Sequence, residues 1–382
     1  MPIKRGESFA FDMREVSGAL GDLGTLLPLT LATIAVVGLA PMPVLLGFGI
    51  FYIASGLYYR LPIPVQPMKA VAAVLLTAGI SPGGLAASGV VIGLVLLLLG
   101  VTGWISRLAR VLPQSVLAGL QLGLGLALAL LSLKLMATMP AIGAVTFLTL
   151  LGLLLMPLLP AAMIALTVAI ALARALDVPG TVVGETASAF VVIPSMPSLA
   201  EIERAIFELA LPQLSLTLTN AVVLTALLAH DYYGPRAAHV TSARLSITNG
   251  LANLLLTPFG ALPMCHGAGG LIAHHRFGAR TGAAPIFLGV ALVVLALLPG
   301  GLTMTLLAAI PAAGLGALLF FSSSELALTK RLFDCKPSCW PVIATTAAIT
   351  VWINPLWGLF AGIGCEAVRV ALVRAAQRKL QS

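Results

Sequence analysis

The stretch Leu61-Pro-Ile-Pro-Val-Gln-Pro-Met-Lys-Ala70 decides the fold, because it places three prolines and a lysine inside an otherwise apolar chain. Proline has no amide hydrogen and interrupts a helix, so the stretch predicts extended backbone. The apolar residues that follow, 67–78, are too few to cross a bilayer, which takes about 20 residues. A second short apolar stretch, 264–273, follows the approach Pro258-Phe-Gly-Ala-Leu-Pro263. We interpret both stretches as half-helices that are entered by extended backbone.

The composition of the chain identifies its solvent. Of 382 residues, 59% are hydrophobic and only 9% are charged, whereas soluble domains carry about 25% charged residues. So little charge cannot cover a surface in water, which predicts an integral membrane protein in contact with lipid. Soluble enzymes, nucleic-acid binders and disordered chains are excluded. We expect no removable signal peptide, and the four cysteines do not suggest a disulfide framework.

Apolar segments of spanning length fill most of the chain. With the two half-helices they predict an all-α fold of fourteen spans. A linker at about 178–210 separates the two halves of the chain. Within it, Ser198–Leu209 has apolar residues at helical spacing and predicts an amphipathic helix at the membrane interface. The twelve longer segments lie at 16–37, 41–59, 84–103, 113–133, 141–156, 160–176, 211–229, 243–258, 282–299, 301–320, 340–353 and 355–373.

The two halves of the chain resemble each other at their prolines. They predict two repeats of seven spans, residues 1–196 and 197–382, and an odd number of spans inverts the second repeat. The half-helices themselves would then meet near the middle of the membrane. The matching pairs are Pro67 and Pro263, at an offset of 263 − 67 = 196, and Pro113 with Pro311 and Pro157 with Pro355, both at an offset of 198.

The basic residues agree with this inverted topology. Cytoplasmic loops collect lysine and arginine, and with both termini inside, seventeen of the twenty-one basic residues face the cytoplasm. Lys69 lies within the membrane, and the other exceptions are Lys134, Arg174 and Arg204. The net charge of +8 is therefore explained by orientation and not by a nucleic-acid partner.

Paired half-helices of this kind indicate a substrate site in inverted-repeat transporters. Each helix N-terminus carries free N–H groups and about half a positive charge, which favours an anion. Lys69 adds a full charge, although a lysine that reaches for the interface is the alternative. Gln66 would donate to the anion or cap the broken backbone. The candidate substrate-binding residues are Gln66, Met68, Lys69, Cys265, His266, Gly267 and Thr25.

A lone carboxylate, Asp22, lies within the first predicted span. It would carry a coupled proton or form an ion pair with Lys69, and the alternative is a structural carboxylate that binds a half-helix N-terminus. Glycines around it, such as Gly18 and Gly21, allow another helix to approach closely. The corresponding span of the second repeat has Asn220, a neutral amide.

A metal site is not expected. Cys265, His266, His274 and His275 match no common zinc spacing, and the two later histidines would lie at the cytoplasmic end of the half-helix. We predict no cofactor and no metal, and the sequence contains no assembled set of catalytic groups. The chain is therefore not expected to be an enzyme.

Four motifs together resemble the molybdate transporter family, a relative of the sulfate permeases. The resemblance covers the whole chain. Two departures are the chain end near Ser382, which leaves no room for the cytoplasmic regulatory domain of sulfate permeases, and His274-His275, where we expect Gln-Tyr. The motifs are Glu15-Val-Ser-Gly-Ala-Leu-Gly-Asp-Leu-Gly-Thr-Leu-Leu-Pro28, Pro62-Ile-Pro-Val-Gln-Pro-Met-Lys-Ala70, Phe259-Gly-Ala-Leu-Pro-Met-Cys-His-Gly-Ala-Gly-Gly270 and Arg276-Phe-Gly-Ala-Arg-Thr-Gly282.

This resemblance implies high-affinity uptake of molybdate, with sulfate or tungstate as competitors. It implies the fold of the sulfate and uracil permeases, in which a core slides past a gate. The core would comprise about 15–103 and 211–300, and the gate about 104–178 and 301–374. A homodimer is also implied.

The resulting hypothesis is a secondary active transporter that imports molybdate by symport. A dianion that enters against a negative-inside potential costs about 2.3 kcal/mol per charge per 100 mV. A coupled cation must supply that energy, and Asp22 is the candidate proton site. The alternatives are a sulfate transporter of the same fold and a passive anion channel. The expected location is a bacterial inner (plasma) membrane.

Overall fold

The computed structural model describes residues 9–78, 80–105, 107, 113–153, 161–178, 197–298 and 302–381. This part of the chain is mostly helical, and a single pair of two-residue strands, β1 (Gln66–Pro67) and β2 (Met264–Cys265), lies within it. The first half contains α1 (Met13–Val37), α2 (Pro41–Tyr59), α3 (Lys69–Ala78), α4 (Pro82–Thr102), α5 (Gln114–Ala137), α6 (Pro140–Leu153) and α7 (Ala161–Ala175).

The second half begins with a long continuous helix, α8 (Leu199–Ala237), which includes two π-helical segments at Ala205–Ala210 and Thr217–Leu224. The elements after it are α9 (Ser242–Leu256), α10 (Ala268–Arg276), α11 (Ala283–Ala296), α12 (Leu302–Ala308), α13 (Ala312–Ala327), α14 (Lys330–Phe333), α15 (Trp340–Trp352) and α16 (Pro355–Gln381).

Several helices are long and apolar enough to cross a membrane. Within the described ranges there are five, namely α2, α4, α5, α8 and the Pro355–Ala375 part of α16, and α1 makes a sixth if its two bent parts form one span. Four others, α6, α7, α11 and α13, are apolar but have only 14 to 16 residues. At 1.5 Å per residue these are shorter than the hydrocarbon core of about 30 Å. The structure thus supports a multi-pass membrane protein, and the predicted count of fourteen spans stays a prediction.

Helix α1 is bent by 49° between Met13–Leu23 and Leu26–Ile34. Pro28 lies inside this helix, and a proline ring clashes with the carbonyl four residues earlier, which accounts for the position of the bend. The helix is capped by the Asp12 side chain, which accepts hydrogen bonds from the amides of Arg14 and Glu15. Asp22 is therefore carried next to a bend in the helix.

Helices of the two halves pack on each other in a crossed pattern. Helix α2 lies against α11, where a Cβ atom at Gly289 would come within 2.7 Å of the Gly49 carbonyl oxygen. Helix α4 lies against α9, where a Cβ at Gly250 would come within 2.8 Å of the Gly93 carbonyl oxygen. The second helix of one half thus pairs with the fourth segment of the other, in both directions. This reciprocal pairing is what two inverted copies produce.

The two broken segments meet as a short antiparallel pair of strands. Gln66 lies opposite Cys265, and Pro67 lies opposite Met264. The strands begin 264 − 66 = 198 residues apart, which equals the offset of Pro113 and Pro311. Those two prolines are the N-cap residues of α5 and α13, so both begin a helix as predicted. Pro157, the partner of Pro355, lies outside the described residues.

Asparagine side chains of α9 satisfy the extended backbone of β2. Asn253 accepts a hydrogen bond from the Met264 amide (3.0 Å) and donates one to the Met264 carbonyl (2.7 Å). Asn249 accepts from the His266 amide at 2.9 Å. Unwound backbone is tolerated at membrane depth only where protein or water satisfies it, and these amides take the place of a third strand.

Three predicted boundaries are wrong. The second half-helix begins at Ala268 and not at 264, because Met264 and Cys265 belong to β2. The span predicted at 301–320 is divided into α12 and α13, since the extended backbone of Pro311 interrupts it. The boundary predicted between the helix at 198–209 and the span at 211–229 is absent, because both belong to α8, which continues without a break; the helix itself is present, and its place at the membrane interface stays a prediction.

Candidate functional site

A small cavity of about 30 Å³ lies beside the strand pair. It is enclosed by the start of α3, the end of β2, and side chains of α5, α8 and α13. A cavity needs about 10–15 Å³ on this scale to hold one water molecule, so the site fits a small polar ligand and not a drug-sized one. Its lining residues are Gln66, Pro67, Lys69, Gln121, Gln213, Leu216, Thr217, Asn220, Ala221, Cys265, His266, Gly267 and Leu326.

The structure brings together most of the residues predicted to bind substrate. Five of the seven line the cavity, although they come from segments about 200 residues apart. Met68 is fully buried and does not line it, and the side chain of Thr25 lies outside the described part of the molecule. Asp22 is also fully buried and lies behind the cavity wall. The five residues are Gln66, Lys69, Cys265, His266 and Gly267, and Asn220, the amide noted in the corresponding span of the second repeat, lines the cavity as well.

Lys69 is the first residue of α3 and lines the cavity with a half-buried side chain. No hydrogen bond or ion pair joins its ammonium group to another described residue. Glu325 of α13 is near enough for its carboxylate to interact electrostatically with this lysine. The alternative in which Lys69 forms an ion pair with Asp22 is therefore not what the structure has. The ammonium group is available to a ligand in the cavity.

The amides that open α3 already have an acceptor. The side-chain oxygen of Gln213 accepts hydrogen bonds from Ala70 N at 2.9 Å and from Val71 N at 3.3 Å. Its nitrogen donates to Thr217 Oγ1 at 2.8 Å. We predicted free N–H groups at this helix end, and a buried glutamine from α8 binds two of them instead.

Helix α10 begins differently, because glycines surround its N-terminus. Gly267 is its N-cap residue and provides no side-chain cap. A Cβ at Gly267 would lie 2.1 Å from Gln66 Oε1, and a Cβ at Gly270 would lie 2.6 Å from both Asp22 Oδ1 and Gln66 Nε2. These glycines let the side chains of Gln66 and Asp22 pack directly on the helix backbone.

His266 is held in place through both ring nitrogens. Nδ1 lies 2.8 Å from the Pro64 carbonyl oxygen, and Nε2 lies 2.9 Å from Thr248 Oγ1. The ring also packs on Phe51, with 4.9 Å between centroids. A ligand could use a ring nitrogen only by breaking one of these hydrogen bonds, so the geometry gives this residue a scaffold role.

Asp22 belongs to a fully buried polar cluster behind the cavity. Tyr52 donates its hydroxyl hydrogen to Oδ2 at 2.5 Å, and Gln66 Nε2 donates to Oδ1 at 2.6 Å. His274 Nε2 lies 3.5 Å from Oδ2, and its other ring nitrogen is 3.0 Å from the Pro62 carbonyl oxygen. His274 lies in the last turn of α10, as expected, and its side chain faces Asp22, a contact that the sequence interpretation did not predict.

The close approach predicted for the α1 glycines is present, but the neighbour is a turn and not a helix. A Cβ at Gly18 would lie 2.4 Å from the Ala279 side chain, and one at Gly21 would lie 2.3 Å from the Phe277 ring. Glu15 Oε1 accepts hydrogen bonds from Arg280 N and Thr281 N, both at 2.9 Å. The turn after α10 is thus fastened to the start of α1.

Sequence reasoning named Asn220 but missed the other two polar residues on the same face of α8. Gln213, Thr217 and Asn220 all line the cavity, and their spacing of four and three residues is that of one helix face. This spacing in an apolar span was the signal that could have found Gln213. Gln121 of α5 was missed as well, since a single glutamine in a span gives no pattern.

The site has the chemistry of an anion pocket. It combines the ammonium group of Lys69, which has no hydrogen-bond or ion-pair partner among the described residues, with side-chain amides and the N-terminal ends of two half-helices, and these groups favour negative charge. In the described ranges, no group of three or more histidine, cysteine, aspartate or glutamate residues is arranged to hold a metal ion.

Comparison with known proteins identifies the family. The family model described as "Molybdate transporter of MFS superfamily" matches residues 14–128 and 205–326. Molybdate transporter 2 of Arabidopsis thaliana is 30% identical, over 94% of this chain and 87% of the plant protein. The named relatives are transporters, so this chain is not an enzyme, as predicted.

Solved structures share the fold. The transmembrane domain of a cyanobacterium bicarbonate transporter, BicA, matches with a TM-score of 0.69 and 16% identity, covering 94% of this chain and 98% of that one. The murine Slc26a9 anion transporter in the inward-facing state matches with a TM-score of 0.73 and 15% identity, covering 97% and 70%. By sequence, and with this fold, the chain belongs to the molybdate transporter family.

Proposed function

We propose that this protein is a secondary active transporter that imports molybdate, with the oxyanion bound between the N-terminal ends of α3 and α10. The observation that supports the proposal most strongly is the position of the Lys69 ammonium group, which has no ion-pair partner in the described part of the chain, beside a small cavity between two half-helices. Family membership supports molybdate as the substrate. Electrostatic complementarity supports an anion, because a cation would be repelled by both helix ends and by Lys69.

The architecture that goes with this proposal has fourteen spans in two inverted repeats. In it, α1–α4 and α8–α11 form the core that carries the substrate, and the remaining helices form the gate. The distribution of basic residues supports both termini in the cytoplasm. The homodimer and the bacterial inner membrane remain predictions, and the named relatives come from plants and an alga.

Coupling to a cation is the energetic part of the proposal. A dianion that enters against a negative-inside potential costs about 2.3 kcal/mol per charge per 100 mV. Asp22 is the proposed proton site, because its carboxylate is buried and contacts Gln66, which lines the cavity. A proton taken up there would be linked to the substrate through a single side chain.

The test is uptake by proteoliposomes that contain the full chain. We expect molybdate to accumulate inside above its electrochemical equilibrium when the outside is more acidic, and sulfate to compete weakly. Calorimetry with sodium molybdate and sodium sulfate measures binding separately from transport. Empty liposomes and liposomes without a pH gradient are the controls.

Each of the other outcomes has a clear meaning. Sulfate preference would change the assigned substrate and leave the site in place. Uptake that never exceeds equilibrium would identify a passive channel. Binding of neither oxyanion by folded protein would contradict the site.

A further inference from the structure

Gln213 already makes the contacts that the proposed function assigns to a bound oxyanion. Its side-chain oxygen lies within hydrogen-bond distance of the Ala70 and Val71 amides, at 2.9 and 3.3 Å. The next amide, Ala72 N, bonds to the Met68 carbonyl inside the helix at 2.8 Å. Gln213 therefore binds two of the few α3 amides that lack a helical partner.

The orientation of the Gln213 amide follows from its neighbours. Two backbone N–H groups require an acceptor, so the oxygen must face α3. The nitrogen then donates to Thr217 Oγ1 at 2.8 Å, one helical turn further along α8. The side chain is nearly fully buried and also lines the cavity, so an anion in the cavity would be adjacent to it.

We propose that Gln213 is an internal competitor of the substrate. Its carbonyl oxygen holds the Ala70 and Val71 amides in the empty transporter and gives them up to an oxygen of the bound oxyanion. This inference rests on the proposed function, because it takes the oxyanion site between the half-helices as given. A charged acceptor makes hydrogen bonds roughly twice as strong as a neutral one, so the exchange favours the anion.

A competitor of this kind has a characteristic effect on affinity. It reduces the fraction of protein that is ready to bind, and the apparent Kd rises by the same factor for every ligand of the site. Removal of the Gln213 carbonyl should therefore tighten molybdate and sulfate binding equally. A residue that donated directly to the substrate would give the opposite result, which is weaker binding.

The experiment compares wild type with Gln213→Met, which keeps the length of the side chain and removes the acceptor, and with Gln213→Ala. Titration calorimetry on the full chain uses sodium molybdate and sodium sulfate. We expect both variants to bind both oxyanions about three- to tenfold more tightly, as for one or two exchanged hydrogen bonds. Gln121→Ala is the matched control, because Gln121 lines the same cavity and bonds to Thr329 instead of α3. It should not tighten binding.

Hydrogen–deuterium exchange at residues 70 and 71 gives a readout that needs no transport. In the absence of ligand these amides should exchange faster in Gln213→Met than in wild type, and molybdate should slow them again. Unchanged exchange in the empty variant would overturn the inference, whatever the ligand does.

The failures of the two proposals can be separated. Weaker or equal binding by both Gln213 variants, with normal binding by wild type, overturns the competitor and leaves the proposed function standing. If neither wild type nor any variant binds either oxyanion, the proposed function and the competitor both fail. Binding by Gln213→Met but not by wild type would support the competitor and leave the site of the proposed function standing.

Discussion

The two half-helices have the same backbone arrangement but different residues at their N-terminal ends. Helix α3 begins with a cationic residue, Lys69, and its first amides are bound by Gln213 of α8. Helix α10 begins after Gly267, without a side-chain cap and without a charged residue in its first turn. One half supplies charge, and the other supplies bare backbone that neighbouring side chains can approach. The two half-helices thus share a backbone geometry, whereas the residues at their N-terminal ends differ.

The largest expected effect is that of a substitution in α3, the half-helix that begins with a charged residue. Lys69→Ala removes the ammonium group that faces the cavity, and a hydrogen bond to a charged group is worth about 1.5–3 kcal/mol. We expect molybdate binding to weaken about 10- to 100-fold, measured by calorimetry. Lys330→Ala, on the exposed surface, is the control and should bind normally. Normal binding by Lys69→Ala would contradict the assignment of the anion-binding charge to α3.

The close packing around α10, the half-helix that begins with glycines, can be tested at two neighbouring positions. Gly270→Ala places a Cβ within 2.6 Å of Asp22 Oδ1 and Gln66 Nε2, whereas a Cβ at Gly269 meets nothing within 4 Å. Overpacking of this kind costs about 1–3 kcal/mol. We expect Gly270→Ala to lower the melting temperature and to weaken molybdate binding about tenfold. Gly269→Ala should keep the wild-type melting temperature, and equal melting of the two variants would contradict the close packing.

The sequence predicts the difference between the two half-helices only in part, and the kind of residue decides which part. Proline identified the broken segments, since its lack of an amide hydrogen acts locally. The pairing of those segments followed from the repeat, and the structure joins Gln66 with Cys265. The start of α10 was placed four residues too early, because the bonds from Asn253 to Met264 that keep this backbone extended come from another helix.

The residues of the candidate site could likewise be predicted from the sequence only in part. Lys69 is visible in the sequence as an isolated charge within an apolar region. Gln213 is not, because its importance lies in the distance to two backbone amides 142 and 143 residues away. His274 was set aside for its position after the half-helix start, yet the helix turns it toward Asp22. Contacts between distant segments, which proline and charge patterns do not encode, decide these roles.

A smaller effect on molybdate affinity is expected for substitution of Asp22, which lies behind the cavity. Asp22→Asn leaves one acceptor oxygen for two donors, Tyr52 and Gln66, so the Gln66 amide loses part of its support. We expect molybdate affinity to fall about threefold, as for one neutral hydrogen bond. The acceleration of uptake by external acid should disappear. Tyr52→Phe keeps the carboxylate and is the control, and it should keep the response to acid. Acid-driven uptake by Asp22→Asn would rule out this residue as the coupling site.

The smallest effect tests whether α10 acts through its backbone alone. Cys265 lines the cavity, but a thiol is a weak hydrogen-bond donor, and the strand pairing of this residue uses only its main chain. Cys265→Ala should therefore change molybdate affinity less than about twofold on calorimetric titration, a loss below that of one neutral hydrogen bond. A tenfold loss would mean that the second half also binds the anion through side chains. In that case the two half-helices would differ only in the charge of Lys69, and the division into a charged half and a backbone half would fail.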